Sequence, residues 1–139
     1  MLSGIDPILT GQLLAQLDAM GHSDAVVVAD AHFPAERLAR RLLVLPGLTT
    51  PDVLRAIRSV IPLDDAPSLD LMTSADGIRL PVQDELIDAA GAADRDVQFL
   101  GRHEFYDVAA DAFLVVRTGE TRTYGNALLR KGVVGMGGS

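Results

Sequence analysis

His22, His32 and His103 are the three histidines of this 139-residue chain, and imidazole is the side chain that ordinarily titrates near neutrality. His22 sits directly after Met20-Gly21, and a ring in that place can shuttle a proton at neutral pH. A histidine just past a helix also serves as a surface residue or a dipole-stabilising cap, so position alone leaves both readings open. Two further polar groups adjoin histidines: Asp30 precedes His32 by two residues, and Arg102 stands beside His103. A last polar run, residues 117–126, ends in Tyr124-Gly125-Asn126. Taken alone, that tripeptide reads as a turn, because Gly and Asn tolerate positive φ.

His22, Asp24, Asp30 and His32 together invite a metal reading, and their spacing argues against it. The intervening Ala25-Val26-Val27-Val28-Ala29, extended at ~3.3 Å per residue, separates the two pairs by roughly 17 Å. One ion does not bridge that gap, so no metal site is expected. The chain has no Cys, which excludes disulfides, thiol nucleophiles and thiolate ligands. It also lacks a nucleophile elbow, a phosphate-binding glycine loop and a dinucleotide fingerprint. The glycines of residues 132–138 open no helix and form no phosphate cradle.

The elements that must carry these residues alternate in type. Thr10 caps a helix over residues 11–20, with Leu13, Leu14, Leu17 and Met20 on one face. Gly21 then stands where a left-handed C-terminal cap is usual. The run Ala25–Ala29 is apolar without alternation, as expected of a strand buried on both faces of a parallel sheet. Residues 35–41 read as a short helix and Leu42–Leu45 as a strand closed by Pro46-Gly47. Thr50-Pro51-Asp52 starts a helix whose stripe is Val53, Leu54, Ile57, Val60 and Ile61, ended by Pro62. Further strands are expected over Leu69–Met72, Val97–Leu100 and residues 113–116, with helices over Pro81–Ala90 and residues 103–111. The tail, residues 132–139, contains four glycines and is expected to fray at its end.

Strands alternating with helices of about ten residues predict one α/β domain over residues 1–139: three layers, with a largely parallel sheet flanked by helices. In such sheets ligands gather beyond the carboxyl ends of strands, where Asp30, Arg102 and the segment after the last strand would stand. Apolar residues make up 48% of the chain, enough for a packed core. The net charge of −7 repels nucleic-acid backbones and anionic lipid, so neither partner is expected. No basic start leads into an apolar run, and no apolar stretch approaches the ~20 residues that span a bilayer. A cytoplasmic location is the expectation.

Several segments, in order and in register, resemble the family of L-fucose mutarotase and D-ribose pyranase. They are residues 1–6, Leu13-Leu14 through Met20-Gly21-His22-Ser23-Asp24, Ala29-Asp30-Ala31-His32-Phe33-Pro34-Ala35, Arg102 with Phe105-Tyr106, and the stretch from Thr118-Gly119-Glu120 through Tyr124-Gly125-Asn126 to Val133. Arg102 ahead of Phe105-Tyr106, and Gly between Tyr124 and Asn126, are more similar to the fucose branch. The middle, residues 36–98, matches loosely. The resemblance implies that His22 is the acid–base residue. It also implies sugar contacts from Asp30, Arg102, Tyr124, Gly125 and Asn126, with Tyr124 assisting as proton donor or relay. A free monosaccharide would be the substrate and no cofactor would be needed. The family likeness further implies a ring-shaped homo-oligomer, with a decamer as the candidate stoichiometry and sites at subunit contacts. The alternatives are a D-ribose pyranase and a sugar-binding accessory protein without turnover.

Overall fold

The Thr10 hydroxyl accepts a hydrogen bond from the Leu13 N–H and opens the first helix, as its sequence predicts. A computed structural model describes residues 1–135 and gives the order α1 (Gly11–Ala19), β1 (Ala25–Ala29), α2 (Ala35–Leu38), β2 (Leu42–Leu45), α3 (Thr50–Arg58) and β3 (Leu69–Met72). There follow α4 (Pro81–Ala90), a 3₁₀ turn (Asp94–Asp96), β4 (Val97–Leu100), α5 (Arg102–Ala110), β5 (Leu114–Thr118) and β6 (Ala127–Arg130). The fraying expected of the tail concerns residues 136–139, which lie outside the described residues.

The six strands form one sheet in the order β2-β5-β1-β6-β3-β4. β1 pairs parallel with β5, β5 with β2, and β3 with β4. β6 is inserted between β1 and β3 and runs antiparallel to both. Five strands therefore share a direction, and the largely parallel sheet is found with one reversed strand at its centre. That strand is absent from the sequence reading. Ala127, Leu128, Leu129 and Arg130 include no β-branched residue, and only pairing on both sides makes them a strand.

The apolar run of β1 is explained by two cores. Val26 and Val28 pack with α1, α3 and α4 on one face, while Val27 and Ala29 pack with Phe33, Phe105 and Ala109 on the other. Alternate side chains of one strand thus enter different layers, which is the expected three-layer arrangement. α3 starts where its sequence predicts: Thr49 accepts from the Asp52 N–H, Pro51 stands in its first turn, and Asp52 faces the positive end of the dipole. It stops at Arg58, so Val60 and Ile61 lie beyond it, and α2 is shorter than the expected 35–41.

Gly21 is not the left-handed cap that its position suggests. Its N–H donates to Asp24 Oδ2 at 2.7 Å, and the positive φ falls on Ser23 instead, at 69°. The chain turns into β1 through that carboxylate and a strained serine, next to His22.

Candidate active site

Parallel strands finish at one edge of the sheet, and antiparallel β6 begins at that same edge. Asp30 directly follows β1, Met72 ends β3, Arg102 opens α5 just after β4, and Thr123, Tyr124 and Asn126 lead into β6. These residues, with His32, Phe33 and Tyr106, line one open cavity of about 240 Å³. That is below the ~300–1,000 Å³ usual for drug-sized ligands, so the space suits a small one.

Two loops are stitched together to shape it. Thr118 donates its hydroxyl to the Ala29 carbonyl at 3.0 Å, and the Ala31 N–H donates to the Glu120 carbonyl at 2.8 Å. His32 Nε2 lies 3.2 Å from the Thr121 carbonyl, which only accepts, so Nε2 carries the hydrogen of that bond. The Asp30 N–H donates to Asn126 Oδ1 at 2.7 Å, and Asp30 Oδ1 accepts from the His32 N–H at 2.9 Å. Asn126 is therefore tied to the scaffold through its amide oxygen. Asp30 is only 3% exposed, and burial pushes its carboxyl above the usual range despite the bonds from His32 and Asn126.

Apolar side chains line the same cavity. The Phe33 ring meets Phe105 at 5.9 Å and Tyr106 at 5.5 Å, both edge to face, and Met72 packs in the same cluster. Polar groups and aromatic side chains in one small cavity suit a ligand that has both hydrogen-bonding groups and an apolar face.

Tyr124 has a left-handed backbone, φ 61°, where a turn would place Gly or Asn. Strain of this kind on a bulky residue concentrates at functional sites. Gly125 answers a different need. A Cβ there would lie 3.0 Å from the Arg122 carbonyl and 3.2 Å from Glu120 Cγ and Val82 Cγ2, so close packing fills its space. Gly125 is buried and is not among the residues lining the cavity.

Beneath this loop lies a network that sequence reasoning passed over. Glu120, 3% exposed, accepts from Arg122 Nε at 3.0 Å, Arg122 Nη2 at 2.9 Å and the Arg122 N–H at 3.2 Å. Weaker bonds at 3.4 Å reach it from the Thr50 N–H and hydroxyl at the start of α3. Arg122 holds the Glu120 carboxyl below its usual range, against the opposing effect of burial. Arg122 also pairs with Glu85 of α4, so the loop bearing Tyr124 is anchored to two helices.

Of the expected site residues, the fold brings together Asp30, Arg102, Tyr124 and Asn126, and adds His32, Phe33, Met72, Tyr106 and Thr123. It does not bring His22. That residue precedes β1, at the opposite edge of the sheet, where its side chain is 59% exposed and its Nε2 lies 3.0 Å from Asp64 Oδ1. The strand spacing anticipated this separation. Among the described residues no group of three or more His, Asp or Glu side chains is placed to hold a metal ion. No helix there is long and apolar enough to cross a membrane.

The profile of the RbsD / FucU transport protein family matches residues 3–134. Among solved structures, the fucose mutarotase in complex with L-fucose from Streptococcus pneumoniae is 33% identical with a TM-score of 0.89, covering 96% of this chain and 100% of that one. FucU from Bifidobacterium longum is 34% identical with a TM-score of 0.87, covering 95% and 99%. Bacillus subtilis RbsD complexed with D-ribose is 24% identical with a TM-score of 0.77, covering 97% and 100%, a likeness of fold alone.

Proposed function

This chain belongs to the RbsD / FucU family, and from that premise we propose that it is a sugar mutarotase acting on a free monosaccharide of the L-fucose type. One observation carries the reading. The small cavity joins Asp30, Arg102, Tyr124 and Asn126 to an aromatic wall, in a chain that matches a fucose mutarotase holding L-fucose over nearly its full length.

Mutarotation opens and recloses a hemiacetal. A base takes the proton of the anomeric hydroxyl, an acid protonates the ring oxygen, and the ring bond to the first carbon breaks to give the aldehyde. After rotation at that carbon, the hydroxyl attacks the other face and the protons return. Nothing is oxidised and no group is transferred, so the reaction asks for no cofactor and falls in the isomerase class. Positioned acid–base groups supply ~10²–10⁴-fold in rate, enough for a reaction that already proceeds unaided.

In this reading Asp30, Arg102 and Asn126 hold hydroxyls, and Tyr124 assists as donor or relay. The acid–base imidazole is His22, which the geometry of one chain keeps at the far edge of β1. A homo-oligomer in which a neighbouring copy delivers His22 to the cavity meets both requirements. A ring, with a decamer as the candidate size, is its natural form because a head-to-tail contact closes on itself. A cytoplasmic location belongs to the same proposal.

The rival reading is a sugar-binding accessory protein, favoured by the family's description as transport proteins and by a single-chain cavity that lacks His22. Polarimetry on freshly dissolved L-fucose separates the two. A mutarotase at catalytic concentration speeds the relaxation of optical rotation, whereas a binding protein leaves the rate unchanged.

A further inference from the structure

His22 does not stand alone at its edge of the sheet. Its Nε2 lies 3.0 Å from Asp64 Oδ1, and Ser23 donates its hydroxyl to Asp64 Oδ2 at 2.8 Å. A carboxylate only accepts, so the ring nitrogen facing it carries hydrogen. Resting on the assignment of His22 as the acid–base group, we infer that Asp64 is its positioning residue, which holds the ring in the Nε2–H form and leaves Nδ1 to exchange the proton with the sugar.

Exposed ion pairs are usually worth little, because two long side chains lose entropy to meet. This pair differs in how it is built. Asp64 is short, its side chain is only 12% exposed, and it has a second donor in Ser23. Burial works against its charge, yet bonds from Ser23, the Asp65 backbone and His22 together hold the carboxyl below the usual range.

The two segments that carry the pair are tied to one another through the end of β6. The Asp64 N–H donates to the Arg130 carbonyl at 3.1 Å, and the Ser23 N–H donates to the Lys131 carbonyl at 2.9 Å. The Lys131 N–H donates to the Asp24 carbonyl at 2.9 Å, and the Gly132 N–H to the Pro62 carbonyl at 2.8 Å. Gly132 is needed for that approach, since a Cβ there would stand 2.2 Å from the Leu63 carbonyl oxygen. Ser23 accepts a left-handed φ of 69° as part of the same turn. Four backbone bonds, a glycine contact and a strained residue thus converge on placing one carboxylate against one imidazole 42 residues away in sequence. A base whose partner fixes tautomer and direction is the usual support for an acid–base histidine.

The test reads the tautomer directly. Long-range ¹H–¹⁵N correlation spectra of uniformly labelled, full-length protein at mildly alkaline pH distinguish protonated from bare ring nitrogens. Wild type should show His22 with Nε2–H and a bare Nδ1. In Asp64→Ala the ring should become a mixture of tautomers, with kcat for anomer exchange falling about 10- to 100-fold and KM little changed, because Asp64 acts through the imidazole and not on the sugar. Ser23→Gly guards against a folding defect, since glycine accepts the left-handed φ and only the hydroxyl is lost. It should shift the tautomer the same way with a smaller loss in kcat. Unchanged His22 tautomer in both variants would overturn the inference, and so would a shifted tautomer with wild-type kcat. Full exchange activity in His22→Ala would instead defeat the acid–base assignment itself, a result read without any Asp64 variant.

Discussion

His22 and Asp30 bracket β1 from its two ends, one before Ala25 and the other after Ala29. Roughly 17 Å of strand lies between them, so one chain offers them to opposite edges of its sheet. A monosaccharide is far shorter than that, and a site using both residues needs two chains.

That separation predicts complementation. Inactive His22→Ala and inactive Tyr124→Phe proteins, unfolded together and refolded together, should regain part of the exchange activity, because mixed assemblies contain some cavities with both residues intact. Mixed oligomers that form and stay inactive would place the two residues on one chain. A monomer of 14.7 kDa in sedimentation would end the shared-site account.

Asp30 predicts a pH dependence of stability. Burial raises its folded pKa above the ordinary carboxylate range, so the folded state favours the protonated acid. The associated stability is present below the unfolded pKa and is lost as pH rises through the higher folded value. Asp30→Asn keeps an oxygen to accept from the His32 N–H and removes the buried charge. Its melting temperature, relative to wild type, should therefore rise as pH climbs above the usual carboxylate range, while sugar affinity falls. Parallel melting curves over that rise in pH would contradict the assignment.

Glu120 carries the opposite sign. Its folded pKa is lowered by Arg122, so its contribution is present above the unfolded pKa and is lost as pH falls through the lower folded value. Glu120→Gln should cost about 1.5–3 kcal/mol at neutral pH, the scale of a hydrogen bond to a charged group. The gap to wild type should close in acid. Denaturant unfolding at several pH values checks both points, and exchange activity should drop as the Tyr124 loop loosens.

Activity should survive exhaustive chelation, because the steps assigned here are proton transfers among side chains. Loss of exchange in EDTA, restored by one divalent ion, would reinstate a metal.

Much of this is legible in the sequence. The uniform apolar run Ala25–Ala29 announced a strand buried on both faces, and its length already set His22 apart from Asp30. What stayed hidden depends on distant partners. Ala127–Arg130 have helix-forming side chains and become a strand only between β1 and β3. Glu120 reads as one more acid in a polar run, and it is burial against Thr50, 70 residues away, that makes it an anchor. Phe33, Met72 and Tyr106 look like core residues, and all three also wall the cavity. The left-handed residue of the Tyr124-Gly125-Asn126 turn is the tyrosine, because Gly125 is spent on packing.

We propose that this chain catalyses anomer exchange of a free sugar through His22. Magnetisation-transfer NMR on L-fucose at equilibrium measures that exchange without a coupled assay, and D-ribose, rhamnose and galactose define the range. Wild type at micromolar concentration should transfer magnetisation between the anomeric protons of L-fucose at a rate proportional to protein. His22→Ala, with an unchanged melting temperature, should lower that rate by roughly 10²-fold or more. Exchange at the spontaneous rate with wild type, or at the wild-type rate with His22→Ala, would contradict the account.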